Sequence, residues 1–184
     1  MNRIPYPDPE SLSAEKRAYL DNPELRILNI ARISMHAPDP IWRATVDMAI
    51  AVVTDTHISD YLREVIVLRV AHLSNSEYEL FHHLSMGRAV GLSEEIMAGL
   101  ESGDFSALPE DERLLAQFTT EVVRDVSPSD ATVAAMRARY SDEEIFEMLG
   151  IIGSYMNAAR IAGIAQIAND EIAVKNWDEE RAAD

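Results

Sequence analysis

Side chains that can carry protons are concentrated on two adjacent predicted helices, where Glu64, His72, Glu79, His82 and His83 lie close together in the chain. Glu79 and His83 are four residues apart, so they share one helix face within hydrogen-bonding reach. A carboxylate in that position fixes the tautomer of an imidazole and raises its basicity, as acid–base catalysis requires. The spacing alone also fits a solvated pair worth only about 0.2–0.5 kcal/mol. The local concentration of these groups favours catalysis.

Glu64 interrupts an otherwise apolar predicted helix, with Val67 and Leu68 among its helical neighbours. Burial without a partner would raise the pKa of this carboxyl group and suit it to carrying protons. An ion pair with Arg63 or Arg69 would instead hold it ionised. The sequence leaves both possibilities open.

Metal and cofactor motifs are sparse. Glu79-Leu80-Phe81-His82 is one Glu-x-x-His unit, whereas di-iron helical bundles use two, and the sequence contains neither a second unit nor His-Glu-x-x-His. A metal site formed by Glu79, His82 and His83 is therefore only an alternative. Phosphate-binding loops, dinucleotide fingerprints and nucleophile elbows are also missing, so we expect no metal and no cofactor.

The composition indicates one helical domain. The chain has 184 residues, 7% aromatic residues and no cysteine, with 16 Lys plus Arg against 32 Asp plus Glu and a net charge of −16. Such acidity disfavours nucleic acid and anionic membranes as partners, but it does not exclude a small acidic substrate, because a few local arginines can dominate inside a pocket. No cysteine means no disulfide and no thiolate chemistry. The first residues lack the apolar core of a secretory signal, which predicts a cytoplasmic protein.

Proline, glycine and capping residues divide the chain into helices. We predict a proline-rich arm and short helix over 1–23, a single helical domain over 24–170 and a polar tail over 171–184. The predicted helices cover 13–20, 24–35, 41–54, 61–73, 76–90, 94–100, 109–126, 128–140 and 145–168.

Three of these helices, 41–54, 61–73 and 145–168, are apolar on most of their circumference. One small bundle can rarely cover so many apolar faces, so we expect an obligate homo-oligomer. The last helix contains Arg160 among other polar residues, which favours a buried or interface helix over a membrane span. Arg160 would either pair with an acid across a subunit interface or bind a substrate carboxylate.

A longer motif carries a family resemblance. It consists of Leu62-Arg63-Glu64-x-x-Val67-Leu68-Arg69-Val70-Ala71, then Asn75-Ser76-Glu77-Tyr78-Glu79, His83 and Gly91-Leu92-Ser93. This pattern resembles the carboxymuconolactone decarboxylase and alkylhydroperoxidase D family, with the match running from about residue 42 to 124. The resemblance implies an all-α, alkylhydroperoxidase D-like bundle that assembles as a trimer or hexamer.

The peroxidase branch of that family carries Cys-x-x-Cys-x-x-x-His after a glutamate one helix earlier. Here the glutamate matches Glu64 and the histidine matches His83, while Ser76 and Glu79 occupy the two cysteine positions. A serine hydroxyl cannot replace a thiolate in peroxide reduction. We therefore expect a protein without thiol peroxidase activity.

The decarboxylase branch fits better, because its resemblance implies a lactone substrate that serves as its own electron sink. In this interpretation His83 donates a proton and Glu64 or Glu79 sets its pKa, while Tyr78 or an arginine steadies developing negative charge. The expected substrate-binding residues are Ser76, Tyr78, His82 and Arg160. Isomerisation of a related ring-cleavage product, an unassigned acid–base reaction and a non-catalytic oligomeric binding protein remain alternatives.

Overall fold

The computed structural model describes residues 2–25 and 27–170, and these residues form helices and no strand. In this described part of the chain, a 3-10 turn at Pro9–Ser11 is followed by nine α-helices. They are α1 (Ala14–Leu20), α2 (Asn29–Ser34), α3 (Asp39–Thr54), α4 (Asp60–Leu73), α5 (Glu77–Ala89), α6 (Glu94–Ser102), α7 (Glu110–Asp125), α8 (Asp130–Arg139) and α9 (Asp142–Ala165). The all-α prediction is confirmed, whereas the predicted tail over 171–184 lies outside the described residues.

Serine side chains begin most of these helices. A serine hydroxyl accepts a backbone N–H in the first turn of α4, α5, α6 and α8, and Ser141 with Glu144 forms a capping box at the start of α9. Each such cap contributes about 0.5–2 kcal/mol. Gly91, with φ of 96°, follows the end of α5 as its sequence position predicted.

Helix α4 lies at the centre of the fold, packed against α5, α6, α7 and α9. Its residues Val65, Ile66, Val67 and Leu68 have no exposed surface. Burying one such side chain contributes about 1.5–3 kcal/mol, so this helix anchors the core. Any polar group on α4 is held in a fixed position by this packing.

Helix α2 is shorter than predicted. The sequence favoured a helix over 24–35, but the helix begins at Asn29. Before it, the side chain of Asn22 accepts the backbone N–H of Glu24 at 2.9 Å, which stabilises a turn. The backbone N–H of Asn29 donates to Asp170 at 3.0 Å, so a distant carboxylate decides where the helix starts.

Helix α9 begins at Asp142, directly after its cap Ser141, as the Ser141–Glu144 start signal predicted. It ends at Ala165, before the predicted end at 168, because Gln166 adopts a left-handed conformation with φ of 49°. The segment after α9 then contacts the N-terminal arm. Arg3 N–H donates to the carbonyl of Ala165 at 2.7 Å, and Ala168 N–H donates to Asn2 Oδ1 at 3.2 Å. This path brings residues 167–170 back across α2 and α5.

Helices α3 and α9 leave an apolar face uncovered in the single chain. Ile41 and Ile164 are 59% and 61% exposed. A Cβ atom added at Gly150, Gly153 or Gly163 would meet nothing within 4 Å. A groove of about 640 Å³ runs between these two helices. The sequence predicted covered faces here, and within one chain they are open.

Among residues 2–25 and 27–170, no helix combines the length and the apolar character needed to cross a bilayer.

Candidate active site

Helices α4 and α5 are joined by a tight turn that makes them pack side by side. Asn75 adopts a left-handed conformation with φ of 48°, and Ser76 N–H donates to the carbonyl of Ala71 at 3.0 Å. Ser76 then caps α5, its hydroxyl lying 3.4 Å from Glu79 N. The turn brings Glu64 of α4 opposite His83 of α5.

Glu64 and His83 form a buried dyad. Oε2 of Glu64 lies 2.8 Å from Nδ1 of His83, and the two residues are 0% and 6% exposed. We assign the proton of this hydrogen bond to Nδ1 of His83, which donates to the carboxyl group of Glu64. This bond fixes the ring orientation and leaves Nε2 as the free end of the imidazole.

Glu79 lies on the opposite side of the same imidazole. Its Oε2 is 3.6 Å from His83 Nε2, a distance slightly too long for a direct hydrogen bond. Burial raises the pKa of Glu79 above its usual 4.5, and the charge of Glu64 adds to this, while His83 and His82 oppose it. Glu79 is therefore a carboxyl group that retains its proton more readily than an exposed glutamate.

The pKa of His83 reflects opposing effects. Burial lowers it, whereas the charge of Glu64, the hydrogen bond to Glu64 and the charge of Glu79 raise it, and the net pKa lies above the usual 6.5. The imidazolium form is thus favoured by two carboxyl groups at its two nitrogens. Such a ring can donate a proton through Nε2.

Of the two candidate arginine partners of Glu64, only Arg63 lies near its carboxyl group. Arg63 Nε lies 4.0 Å from Glu64 Oε1, while its Nη1 donates to Asp60 at 2.9 Å and to the Val53 carbonyl at 3.2 Å. Arg69 points elsewhere and donates from Nη1 to the carbonyl of Leu100 at 2.7 Å. Glu64 is therefore held chiefly by His83, with Arg63 as a nearby positive charge.

A cavity of about 1210 Å³ opens onto this dyad. Glu79 and His83 line it, and Glu64 stands behind His83, so the acid–base groups predicted from the sequence converge at one place. The other walls come from the segment before α2, from α3, from α9 and from the residues after α9, including Leu28, Ala49, Val52, Ala158 and Asn169. Most of this lining is apolar, which strengthens electrostatic interactions inside it.

His82 and Tyr78 line the same cavity but turn toward Asp170. The Tyr78 hydroxyl donates to Asp170 Oδ2, and His82 Nε2 lies 3.4 Å from the same oxygen. Burial, followed by the hydrogen bond and charge of Asp170, raises the pKa of Tyr78 above 10. Both histidines therefore face the cavity, but only His83 is paired with a buried glutamate, and the Tyr78 hydroxyl is already engaged.

Two expected substrate-binding residues lie away from the cavity. Ser76 is buried at the N-terminus of α5, where it caps the helix. Arg160 is exposed on α9 and donates to the carbonyl of Met156 at 2.7 Å. Neither residue lines the cavity that His83 faces.

Tyr155 and Arg32 are among the cavity residues that sequence reasoning missed. The ring of Tyr155 on α9 packs edge-on against His83, with centroids 5.0 Å apart. Arg32 on α2 also lines the cavity. Tyr155 could have been noticed as a phenol on an apolar helix, but no spacing rule connects α9 with α5. No motif or spacing in the sequence pointed to Arg32.

The carboxylates and imidazoles do not gather as metal ligands in the part of the chain that the structure describes. His82 faces Asp170, whereas His83 is held between Glu64 and Glu79. The alternative metal site at Glu79, His82 and His83 would thus need one of these histidines to leave its carboxylate partner.

Comparisons with known proteins identify the fold. No protein-family model and no curated protein matches the chain. Among solved structures, it resembles the alkylhydroperoxidase AhpD core of an uncharacterized peroxidase-related protein from Ralstonia eutropha JMP134, with a TM-score of 0.75, 18% identity and 94% of each chain covered.

Two further crystal structures agree with this assignment. An uncharacterized peroxidase-related protein from Silicibacter sp. TM1040 gives a TM-score of 0.74 at 16% identity, covering 94% of this chain and 93% of that one. A protein of unknown function from Agrobacterium tumefaciens gives 0.66 at 21% identity, covering 74% of this chain and 94% of that one. The AhpD-like fold implied by the sequence resemblance is confirmed.

Proposed function

We propose that this AhpD-like chain is a cofactor-independent acid–base enzyme that decarboxylates or isomerises a lactone or a related product of aromatic ring cleavage. The observation that carries the proposal is the 2.8 Å contact between buried Glu64 and His83, with His83 Nε2 directed at Glu79 beside a cavity. Buried titratable groups that face one another beside a cavity are characteristic of catalytic sites.

Decarboxylation would begin with cleavage of the bond between the ring carbon and the carboxylate of an unsaturated lactone. The electron pair of that bond enters the conjugated lactone, CO2 leaves, and a dienolate remains. His83 Nε2–H then protonates the dienolate at carbon, and Glu64 holds the ring through Nδ1. Glu79, 3.6 Å from Nε2, is placed to return a proton to His83.

Isomerisation would use the same groups with one change. Neutral His83 or ionised Glu79 first removes a proton from carbon, and the conjugate acid returns it to another carbon of the resulting dienolate. Proton transfer is common to both reactions, so the site supports the reaction class more strongly than either member. Arg32, which lines the cavity, is the candidate partner for a substrate carboxylate in place of Arg160.

Thiol peroxidase activity is not part of this proposal, although the structural neighbours include proteins named peroxidase-related. The chain contains no cysteine, so it has no thiolate to attack a peroxide. The glutamate and histidine of the acid–base pair are present, and Glu79 adds a further carboxyl group at the free nitrogen of His83.

The test is a screen of lactones from aromatic catabolism for CO2 release and for isomerisation, with a hydroperoxide as the control substrate. His83→Gln should lower kcat by about 10²–10⁴, the usual contribution of one general acid. His72→Gln is the matched control, because His72 lies on α4 outside the cavity lining and should leave kcat unchanged. A fully active His83→Gln protein, or turnover of hydroperoxide alone, would contradict the proposal.

We also propose self-association through the open face of α3 and α9. Exposed Met48 and Ile164 and the open surface at Gly153 suit contact with a second copy of this chain. Ile164→Glu should shift the mass measured by light scattering toward the monomer, whereas Val133→Glu, on α8, should not. Equal masses for the wild type and Ile164→Glu would argue against this surface.

A further inference from the structure

We propose that Tyr155 is a ligand-contacting residue of this site, and that its hydroxyl hydrogen-bonds the oxygen of a planar, conjugated oxyanion bound beside His83. The inference rests on the proposed function and deepens it, since it names the class of ligand that the cavity binds. It is based on the position of the Tyr155 side chain on α9. Neither the sequence spacing nor the family resemblance pointed to this residue.

The geometry places Tyr155 where the reacting group must lie. Its ring meets the His83 ring edge-on, with 5.0 Å between centroids and 87° between planes. Both residues line the cavity, together with Glu79. A ligand that reaches His83 Nε2 from the cavity therefore also meets the side chain of Tyr155.

The Tyr155 hydroxyl is available for a ligand, whereas that of Tyr78 is not. Within residues 2–25 and 27–170, Tyr155 makes its ring contact with His83 and no hydrogen bond to a side chain or backbone group. The hydroxyl of Tyr78 instead donates a hydrogen bond to Asp170 Oδ2. The role of steadying an oxyanion, which the sequence suggested for Tyr78, thus passes to Tyr155.

The surroundings keep the Tyr155 proton in place. Burial raises the pKa of Tyr155 above 10, and the charges of Glu64 and Glu79 raise it further. A phenol that keeps its proton donates a hydrogen bond without transferring charge. A donor already oriented in an apolar cavity stabilises developing negative charge more than water does.

The ligand class follows from the donors. The site offers two donors from different helices, His83 Nε2–H and the Tyr155 hydroxyl. An enolate or dienolate suits them, because its oxygen accepts the hydrogen bond of Tyr155 while its carbon takes a proton from His83. No bond to Tyr155 forms or breaks in this step, and its proton stays on its own oxygen.

Binding of 4-nitrophenolate tests the inference, because this stable oxyanion reports its surroundings through its visible absorbance. The neutral ether 4-nitroanisole has the same ring without the oxyanion. Tyr155→Phe keeps the ring against His83 and removes only the hydroxyl, so it should bind 4-nitrophenolate about tenfold to a hundredfold more weakly while binding 4-nitroanisole equally.

Tyr140→Phe is the matched control. The Tyr140 hydroxyl is buried without a hydrogen-bond partner in the described part of the chain and lies outside the cavity lining, so its removal should leave both affinities unchanged. Circular dichroism and thermal unfolding check that each variant is folded.

Three outcomes would overturn the inference. The folded wild type does not bind 4-nitrophenolate, Tyr155→Phe binds 4-nitrophenolate as tightly as the wild type does, or Tyr155→Phe loses as much affinity for 4-nitroanisole as for 4-nitrophenolate. Failure of the proposed function is distinguishable. If His83→Gln turns over substrate normally while Tyr155→Phe still loses 4-nitrophenolate selectively, the oxyanion site stands and the catalytic assignment falls. If His83→Gln is inactive and Tyr155→Phe binds normally, only the Tyr155 assignment falls.

Discussion

Replacing one member of the Glu64–His83 dyad should cost far more stability than replacing both. His83→Leu leaves the Glu64 carboxylate, which is 0% exposed, without the donor that lies 2.8 Å away. Breaking a buried pair in this way costs about 3–5 kcal/mol, because an uncompensated charge stays buried. The Glu64→Leu/His83→Leu double variant removes both charges, and such replacements are neutral or stabilising by about 1–4 kcal/mol.

Urea unfolding at neutral pH and fixed protein concentration measures both values, since self-association would make stability depend on concentration. For a chain of this size, about 3–5 kcal/mol corresponds to a fall in Tm of roughly 6–20 °C. His72→Gln serves as the control and should change the free energy of unfolding little. The reasoning is refuted if His83→Leu is as stable as the wild type, or if the double variant is as unstable as the single one.

Two further predictions concern titration. Because the folded pKa of His83 lies above 6.5, the stabilisation from its protonation is fully present below pH 6.5 and is lost as the pH rises through the folded pKa. The stability of the wild type relative to Glu64→Leu/His83→Leu should therefore fall above pH 6.5, and a constant difference would contradict the assigned shift. Asp170→Asn should speed hydrogen exchange at Asn29, at a cost of about 1–3 kcal/mol, while exposed Asp125→Asn should not. Burial raises the pKa of Asp170, but His82 at 3.4 Å and the hydrogen bonds from Tyr78 and Asn29 bring it below 3.8. The stabilisation from Asp170 is therefore present above pH 3.8 and is lost at lower pH. Unchanged exchange at Asn29 would argue against the contact.

Much of the fold could be read from local patterns. The apolar run of α4 predicted a helix covered on all sides, and α4 is the core helix. Serine caps and Gly91 placed helix ends to within a few residues. These signals work because helix periodicity and capping depend on neighbours along the chain.

The site could be predicted only where it depends on helix geometry. The four-residue spacing placed Glu79 beside His83, and the short turn after α4 placed Glu64 opposite. The choice between Arg63 and Arg69 depended on packing around α4, where Arg69 is drawn toward α6 and α7 by the Leu100 carbonyl and Thr120. Sequence alone left that choice open.

Contacts between distant segments could not be predicted. Asp170 lies 141 residues from Asn29, yet it fixes the start of α2 and engages Tyr78. Tyr155 on α9 contacts His83 on α5, although these two helices are far apart in sequence. Propensity and periodicity say nothing about such pairs, because long-range packing decides them.

The return of residues 167–170 across α2 and α5 has a consequence for how the protein is made. A ribosome releases α4 and α5 long before Asp170, so the Glu64–His83 dyad can form while one wall of its cavity has not yet been synthesised. Helix α2 gains its capping carboxylate only when Asp170 has emerged. Ligand binding should therefore begin late in translation, and a chain stopped before Asp170 should keep a helical core yet lack one wall of the binding cavity.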